Sequence, residues 1–512
     1  MQFYPKGRAQ RPSIHHPSVR PRRLAVLRAA GINLLLLQIL FLGLFCYIFG
    51  SLFQQSTHIH NLNVLFVDYD GGAIGDAVRD AFKKLEGPGF PTLIERPASA
   101  YPQPGSIDGA VCDIKYWGAL YTTANASNAL TAAFAGGSAA SSYNKDDVLT
   151  MVWNEARYPT VVDSALESNL KLLSETARIA YSEANGNQTL QSLNTSDPAA
   201  LTIFYDPWTL ASVDIQPTSQ GSRVIYNTVV IILVMIQEFF YLGTVNGLYV
   251  QFKLYISVSP HRIAIVRLII SATYTLVGSL CTAGAIWAFR NGWNVNGNQF
   301  ALTWAVLWLF AHLNFLVLDV FTIWLPAPYV PMALVTWIIT NVTSIILPFE
   351  LSPGFYKVGY GLPAHAAFQV LIDIWSGGCN PQLYYALPVL FIYEVLGVIL
   401  SSIGVYRRAH YAVIKLETEE KACEARVAAA LVQQQEAQLV RQETIHDVGG
   451  TGTSDTDYQG DGARRRRGTV ATITDQEDLV GIIRREMSRP KVEGPEDSRD
   501  STGPCFSLPY KD

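Results

Sequence analysis

Four ionisable side chains lie inside long apolar stretches of the sequence. Glu238 follows Gln237 in one stretch, His312 and Asp319 share another, and Glu394 lies in a third. A charged group at membrane depth costs roughly 2.5–3.5 kcal/mol on insertion scales, so such residues are functional candidates by default. The i, i+7 spacing of His312 and Asp319 places both on one face of a helix.

These four residues admit two interpretations. A proton or cation relay would need them to face one another across neighbouring helices. Alternatively, they hydrogen-bond adjacent helices or line a seam of a helix bundle. The sequence contains no Gly-x-Ser-x-Gly, His-Glu-x-x-His or paired intramembrane Asp motif. We therefore expect no enzyme activity, catalytic residue, metal or cofactor.

Two further pairs of polar residues, one of aspartates and one of histidines, lie early in the chain. Asp68 and Asp70 stand beside Gly71-Gly72, which could form a metal loop or a nucleotide contact. Asp and Gly also favour tight bends for backbone reasons, and we favour this turn interpretation. His58 and His60 have strand spacing that would direct both rings to one side, but two ligands are too few for a metal site.

Six long apolar runs must position the intramembrane residues. Each reaches or approaches the ~20 residues that a helix needs to cross a bilayer. Only 16% of all residues are charged, where a soluble domain averages about 25%. The predicted spans are Ala29–Phe53, 224–248, Ile263–Phe289, Ala301–Trp324, Val330–Leu347 and Leu383–Tyr406. Residues 224–406 thus form a five-span membrane domain.

Charge placement predicts the topology. The basic arm 1–28 contains no Asp or Glu, which predicts a cytoplasmic N-terminus and an uncleaved first span. Arg407, Arg408 and Lys415 follow the last span, so both termini are expected in the cytoplasm. The net charge of −4 gives no indication of a nucleic-acid partner. Three N-glycosylation sequons lie in the long segment assigned to the outside: Asn125, Asn187 and Asn194.

Residues 54–223 are long enough for one compact extracytoplasmic domain. Patterning predicts strands at 63–68, 92–95 and 109–114, and helices at 75–86 and 163–185. An α/β domain is the expected outcome. Cys112 and Cys379 both fall on the predicted outer face, where a disulfide could persist, although nothing in the sequence places them within bonding range.

The remaining segments differ in character. Prolines and glycines in 351–377 exclude one continuous spanning helix and predict a broken helix that is interfacial or re-entrant. The composition of residues 407–448 predicts a cytoplasmic helix after the last span. Residues 449–512 are polar and charged, which predicts a disordered cytoplasmic tail.

The chain resembles the fungal nitrosoguanidine-resistance membrane proteins over roughly residues 25–411. The resemblance rests on Cys112-Asp-Ile-Lys-Tyr-Trp-Gly-Ala-Leu-Tyr with Asn125-Ala-Ser, and on Leu351-Ser-Pro-Gly-Phe-Tyr with Gly361-Leu-Pro-Ala-His. This family looks related to the membrane half of ABC-2-type exporters. The resemblance implies a plasma-membrane protein that affects resistance to toxic compounds, through export or lipid organisation. It carries over no catalytic or binding residues.

The expected fold is an α-helical, ABC-2-like polytopic membrane protein with six spans (1+5) and an α/β domain between spans 1 and 2. The sequence has no Gly-Lys dipeptide, so it lacks a P-loop. The first functional hypothesis is export of, or resistance to, toxic amphipathic compounds, or lipid distribution, without an ATPase of its own. The alternative is a non-transporting scaffold or regulator of membrane composition or of another transporter. Expected partners are membrane lipids, a separate ATPase or regulatory protein, and a second copy of the chain.

Overall fold

The computed structural model describes residues 16–17, 20–218, 229–290, 293–448, 480–481 and 483–484. Within these ranges the protein is mostly helical. Six helices are long and apolar enough to cross a membrane, as expected of a polytopic membrane protein. They lie at Arg20–Ser51, Val230–Gln251, Pro260–Ala288, Gly297–Trp324, Ala327–Ile346 and within Leu383–Gln433.

The helices and strands alternate between the first and second of these long helices. The α-helices, numbered in chain order, are α1 (Arg20–Ser51), α2 (Ala73–Leu85), α3 (Pro104–Cys112), α4 (Ala126–Phe134), α5 (Ser138–Ser142), α6 (Pro159–Val162), α7 (Ser168–Ser192), α8 (Pro198–Tyr205), α9 (Val230–Gln251), α10 (Leu254–Ser257), α11 (Pro260–Ala288), α12 (Gly297–Trp324), α13 (Val330–Ile346), α14 (Pro363–Trp375) and α15 (Leu383–Val448). The strands are β1 (Asn63–Asp68), β2 (Thr92–Arg96), β3 (Gly118–Thr122), β4 (Leu149–Trp153) and β5 (Leu210–Asp214).

The five strands form one mixed sheet in the order β2-β1-β3-β4-β5. β1 pairs in parallel with β2 and β3, β4 is antiparallel to β3, and β5 is parallel to β4. All five residues of β4 are buried. A strand buried on both faces needs cover on each side, and helices provide it here. On one face α2 and α7 contact each other extensively.

The predicted elements of this α/β domain are partly confirmed. β1 has the predicted bounds, β2 and α2 lie within two residues of theirs, and α7 continues the predicted long helix as far as Ser192. The strand prediction at 109–114 is wrong, because Pro104 begins a helix there. Ile107, Ala110 and Val111 are buried at helical spacing, which a short window does not distinguish from a strand.

The histidine pair also differs from its prediction. His58 and His60 lie in a 3₁₀ helix, Gln55–Asn61, rather than in a strand. The Nδ1 atom of each ring lies within hydrogen-bonding distance of a backbone carbonyl, that of Gln54 for His58 and that of Thr57 for His60. Both rings therefore have local backbone partners.

The long helices begin and end close to the predicted spans. Part of the second predicted span, 224–228, and most of the predicted disordered tail, 449–512, lie outside the described residues. The separate helix predicted at 407–448 is continuous with the last span, since α15 runs from Leu383 to Val448. The basic arm is helical from Arg20, nine residues before the predicted start of the first span at Ala29.

The broken segment forms a 3₁₀ helix, Gly354–Gly361, followed by α14. Every residue of α14 from Pro363 to Ile372 is buried. Other elements of the first unit therefore cover α14 on every side over these residues. Its interfacial or re-entrant position in the membrane stays a prediction. Asn341 of α13 helps to hold α14, because the Asn341 side-chain oxygen accepts a hydrogen bond from the Ala364 N–H at 3.1 Å. This bond satisfies one of the donors left over at a helix N-terminus.

The chain divides into two compact units. The first comprises Met1–Leu242, Ile269–Asp319 and Pro328–Ile399, and contains the sheet and α14. Within it, Tyr158 packs edge-on against Phe368 of α14, with ring centroids 5.1 Å apart.

The second unit comprises Gly243–Leu268, Val320–Ala327 and Leu400–Asp512. Two of its internal hydrogen bonds are donated by arginine side chains. Arg267 donates to the Asn246 side-chain oxygen at 2.7 Å, and Arg408 donates to the Thr322 hydroxyl at 2.6 Å.

Candidate functional site

Three helices contribute polar side chains to one cluster inside the first unit. His312 lies on α12, Glu394 on α15 and Ser271 on α11. His312 Nδ1 is 2.6 Å from Glu394 Oε1, and His312 Nε2 is 3.1 Å from the Ser271 hydroxyl oxygen. We call these three residues the bundle triad. The structure therefore makes neighbours of two residues that are 82 positions apart in the sequence.

The geometry suits proton exchange. A hydrogen bond between His312 Nδ1 and Glu394 Oε1 requires one proton between these two atoms. The ring's other nitrogen accepts from Ser271 when the imidazole is neutral, and donates to it when the imidazole is charged. Glu394 Oε2 is buried and has no hydrogen-bond partner among the described residues. The triad thus has an unused acceptor beside a titratable pair.

A close helix approach places Glu394 against His312. Gly397 lies one turn beyond Glu394 on α15, and Leu316 lies one turn beyond His312 on α12. A Cβ atom added at Gly397 would lie only 2.7 Å from the Leu316 Cβ. Small residues allow such close backbone approach between helices in membranes.

The other two predicted intramembrane residues are also buried. Glu238 of α9 is 0% exposed, and both carboxyl oxygens lack a hydrogen-bond partner within the part of the chain that the structure describes. Asp319 is likewise 0% exposed, two turns after His312 on α12. Only His312 and Glu394 of the four predicted residues share a hydrogen bond in the structure's described contacts.

The Asp68–Asp70 turn has internal partners. Asp68 accepts hydrogen bonds from the Thr122 hydroxyl, the Gly71 N–H and Arg79. Burial alone would raise the pKa of the Asp68 carboxyl, but these hydrogen bonds and the Arg79 charge hold it below its ordinary value. Asp70 accepts from the N–H and hydroxyl of Ser127. These contacts are those of a turn that stabilises the fold. Among the described residues, no group of three or more His, Cys, Asp or Glu side chains could hold a metal ion.

The structure joins Cys112 and Cys379 in a disulfide across 267 positions. Cys112 ends α3 and Cys379 follows α14. The bond therefore links the α/β domain that contains the five-stranded sheet, called the sheet domain below, to the segment before the last span. The three sequon residues, Asn125, Asn187 and Asn194, are all exposed in the sheet domain.

Sequence reasoning missed a buried polar loop at Asn154–Tyr158. It follows β4 directly, and every residue in it is buried. Glu155 there contacts Asp214, and burial together with this neighbouring carboxyl raises the pKa of Asp214 to about 7. Arg157 is 3% exposed, and burial lowers the pKa of its guanidinium to about 10. Glu155 and Arg157 are near β4 in sequence but have no recognisable motif, so the only available signal was two charges beside a strongly apolar strand.

The fold and the triad together define an integral membrane protein with an α/β domain and protonatable groups in its helix bundle. The chain belongs to the family described as "Protein of unknown function (DUF3533)", whose model matches residues 33–399. That match covers the sheet domain, five of the six long helices in full or in large part, and the triad. No solved structure matches the chain.

Proposed function

We propose that this protein moves amphipathic compounds or lipids across, or between the leaflets of, its membrane. The observation that carries the proposal is the bundle triad, in which Ser271, His312 and Glu394 meet from three helices. Groups of this kind are costly inside a membrane and commonly mark ion or proton pathways. A helix broken before the last span adds to the resemblance to ABC-2-type permeases noted from the sequence.

The proton is the coupling ion that the triad fits best. The sequence has no P-loop, so ATP hydrolysis would require a separate ATPase. An imidazole paired with a carboxyl group can bind and release one proton within a single cluster. Movement of α15 relative to α12 would change the contact between His312 and Glu394 and so couple protonation to helix position.

The test is transport by the purified, full-length protein in proteoliposomes. With an imposed pH gradient, we expect wild type to move a fluorescent amphipathic dye or a labelled phospholipid. Glu394→Gln keeps the size of the side chain but removes its titration, so we expect gradient-driven flux to fall at least ten-fold.

The matched control is Glu417→Gln, the same change at an exposed position on the same helix. It should leave flux unchanged. No flux with wild type under either a pH gradient or added ATP and membrane extract would reject the transport proposal. Equal flux in wild type and Glu394→Gln would retain transport but remove the triad from its coupling.

One observation favours the alternative of a scaffold or regulator. α15 continues from the last span to Val448 as one helix of 66 residues. At ~1.5 Å per residue, such a helix is roughly 100 Å long. Affinity purification distinguishes the two: a trafficking or signalling protein bound to α15, with no flux, would favour regulation.

A further inference from the structure

Arg157 lies beside a cavity of the first unit, where the sheet domain meets α14. The cavity measures about 30 Å³ and its lining includes Arg157, Glu350, Tyr360, His365 and Gln369. A space of this size exceeds the ~10–15 Å³ that one water molecule requires. A wider groove of about 380 Å³ shares Phe349, Glu350 and Tyr360 with this cavity and also contains Lys357.

The guanidinium of Arg157 is only partly satisfied. Nη2 donates to the backbone carbonyls of Cys112 and Cys379, each at 2.9 Å. Nε and Nη1 have no acceptor among the described residues. A guanidinium has five N–H groups, so three are left without a partner. Leaving a buried charge unpaired is costly, and a ligand anion would remove that cost.

Other groups around the cavity are compatible with an anion. Burial lowers the pKa of His365 to about 4, so its ring is neutral at physiological pH, and its Nδ1 lies 3.0 Å from the Ser344 carbonyl. Burial raises the pKa of the Glu350 carboxyl above its ordinary value. Tyr360 adds a phenolic hydroxyl.

We propose that the Arg157 cavity is an anion-binding site that takes a phosphate or carboxylate group. The group would enter through the groove beside Lys357 and accept hydrogen bonds from Nε or Nη1 of Arg157. Because Nη2 holds both cysteine carbonyls, the bound anion would also stabilise the junction between the sheet domain and α14. This proposal is independent of transport.

The experiment uses the full-length protein in neutral detergent. Isothermal titration and thermal unfolding are measured with sodium phosphate, sodium acetate and a short-chain phosphatidic acid, against sodium chloride at equal ionic strength. We expect saturable binding of at least one of the three and a rise in Tm. Phosphate binding alone would indicate a free anion, whereas binding of the phosphatidic acid alone would indicate a lipid headgroup.

Arg157→Gln should weaken this binding roughly 30-fold or more, because it removes the charged partner of a buried contact. Arg96→Gln is the control, since it removes the same charge at an exposed position of the same domain. If Arg157→Gln does not fold, Arg157→Lys keeps the charge and should bind more weakly than wild type. No saturable binding by wild type, or equal binding by wild type and the folded Arg157 variant, would overturn the proposal.

Discussion

Two charged side chains of this protein, Asp68 and Arg157, differ in how fully other residues satisfy their hydrogen bonds. Asp68 illustrates a charge whose partners are all internal, because Arg79 and Thr122 both donate to its carboxylate. Arg157 illustrates the opposite case, with one nitrogen engaged and two without an acceptor among the described residues. The first arrangement stabilises the fold, and the second is suited to a ligand.

Asp68→Asn should destabilise the sheet domain. The Asp68 side chain is 4% exposed and pairs with Arg79 at 2.6 Å, so losing its charge leaves buried donors poorly satisfied. We expect a loss of about 1–3 kcal/mol at neutral pH, measured by thermal or urea unfolding.

The pH dependence of that loss has a fixed sign. The folded-state pKa of Asp68 lies below its ordinary value of 3.8, so its contribution is present above that pH and is lost as pH falls through the folded-state pKa. Wild type and Asp68→Asn should therefore converge in stability in acid. Asp80→Asn, at an exposed pair with Lys83, is the control and should change little. A constant difference down to low pH would contradict this account.

At the scale of elements, helix contacts decide which residues meet. α12 and α15 approach closely where Gly397 faces Leu316, and the triad lies one turn away. α14 is buried along most of its length and is held by Asn341 and by the Ser344 carbonyl of α13. These contacts explain why a segment that is broken by proline and glycine still packs as a core helix.

Gly397→Ala should disturb the contact between α12 and α15. The new methyl group would lie 2.7 Å from the Leu316 Cβ, which a rotamer change does not relieve. We expect a destabilisation of about 1–3 kcal/mol, measured as a lower Tm of the purified protein. Gly284→Ala on α11 meets no atom within 4 Å and should be neutral or slightly stabilising. Equal Tm values for the two variants would show that the helices are not this close.

At the scale of the whole molecule, one covalent bond links segments far apart in the chain. The Cys112–Cys379 disulfide closes a loop of 267 positions that contains part of the sheet domain and four of the long helices. Arg157 donates to the carbonyls of both cysteines, so the disulfide and the proposed anion site share a junction.

Replacing both cysteines by serine should destabilise the protein by about 2–5 kcal/mol, because an open loop has more conformational freedom when unfolded. The loss is measurable by thermal unfolding and by faster limited proteolysis. Cys281→Ser is the control, since Cys281 is an exposed free cysteine. If reduction of wild type reproduces the Tm of the double variant, the disulfide itself is responsible. An unchanged Tm in the double variant would contradict the prediction.

The sequence by itself determined the membrane class, the approximate ends of the long helices, strand β1 and the break before the last span. Each of these follows from local hydropathy, turn residues or proline geometry within about 20 residues. The tertiary structure alone decided that His312 faces Glu394, that Cys112 meets Cys379 and that Arg157 lines a cavity. These contacts join residues 45 to 267 positions apart. The packing of helices and strands sets them, and no local pattern encodes that packing.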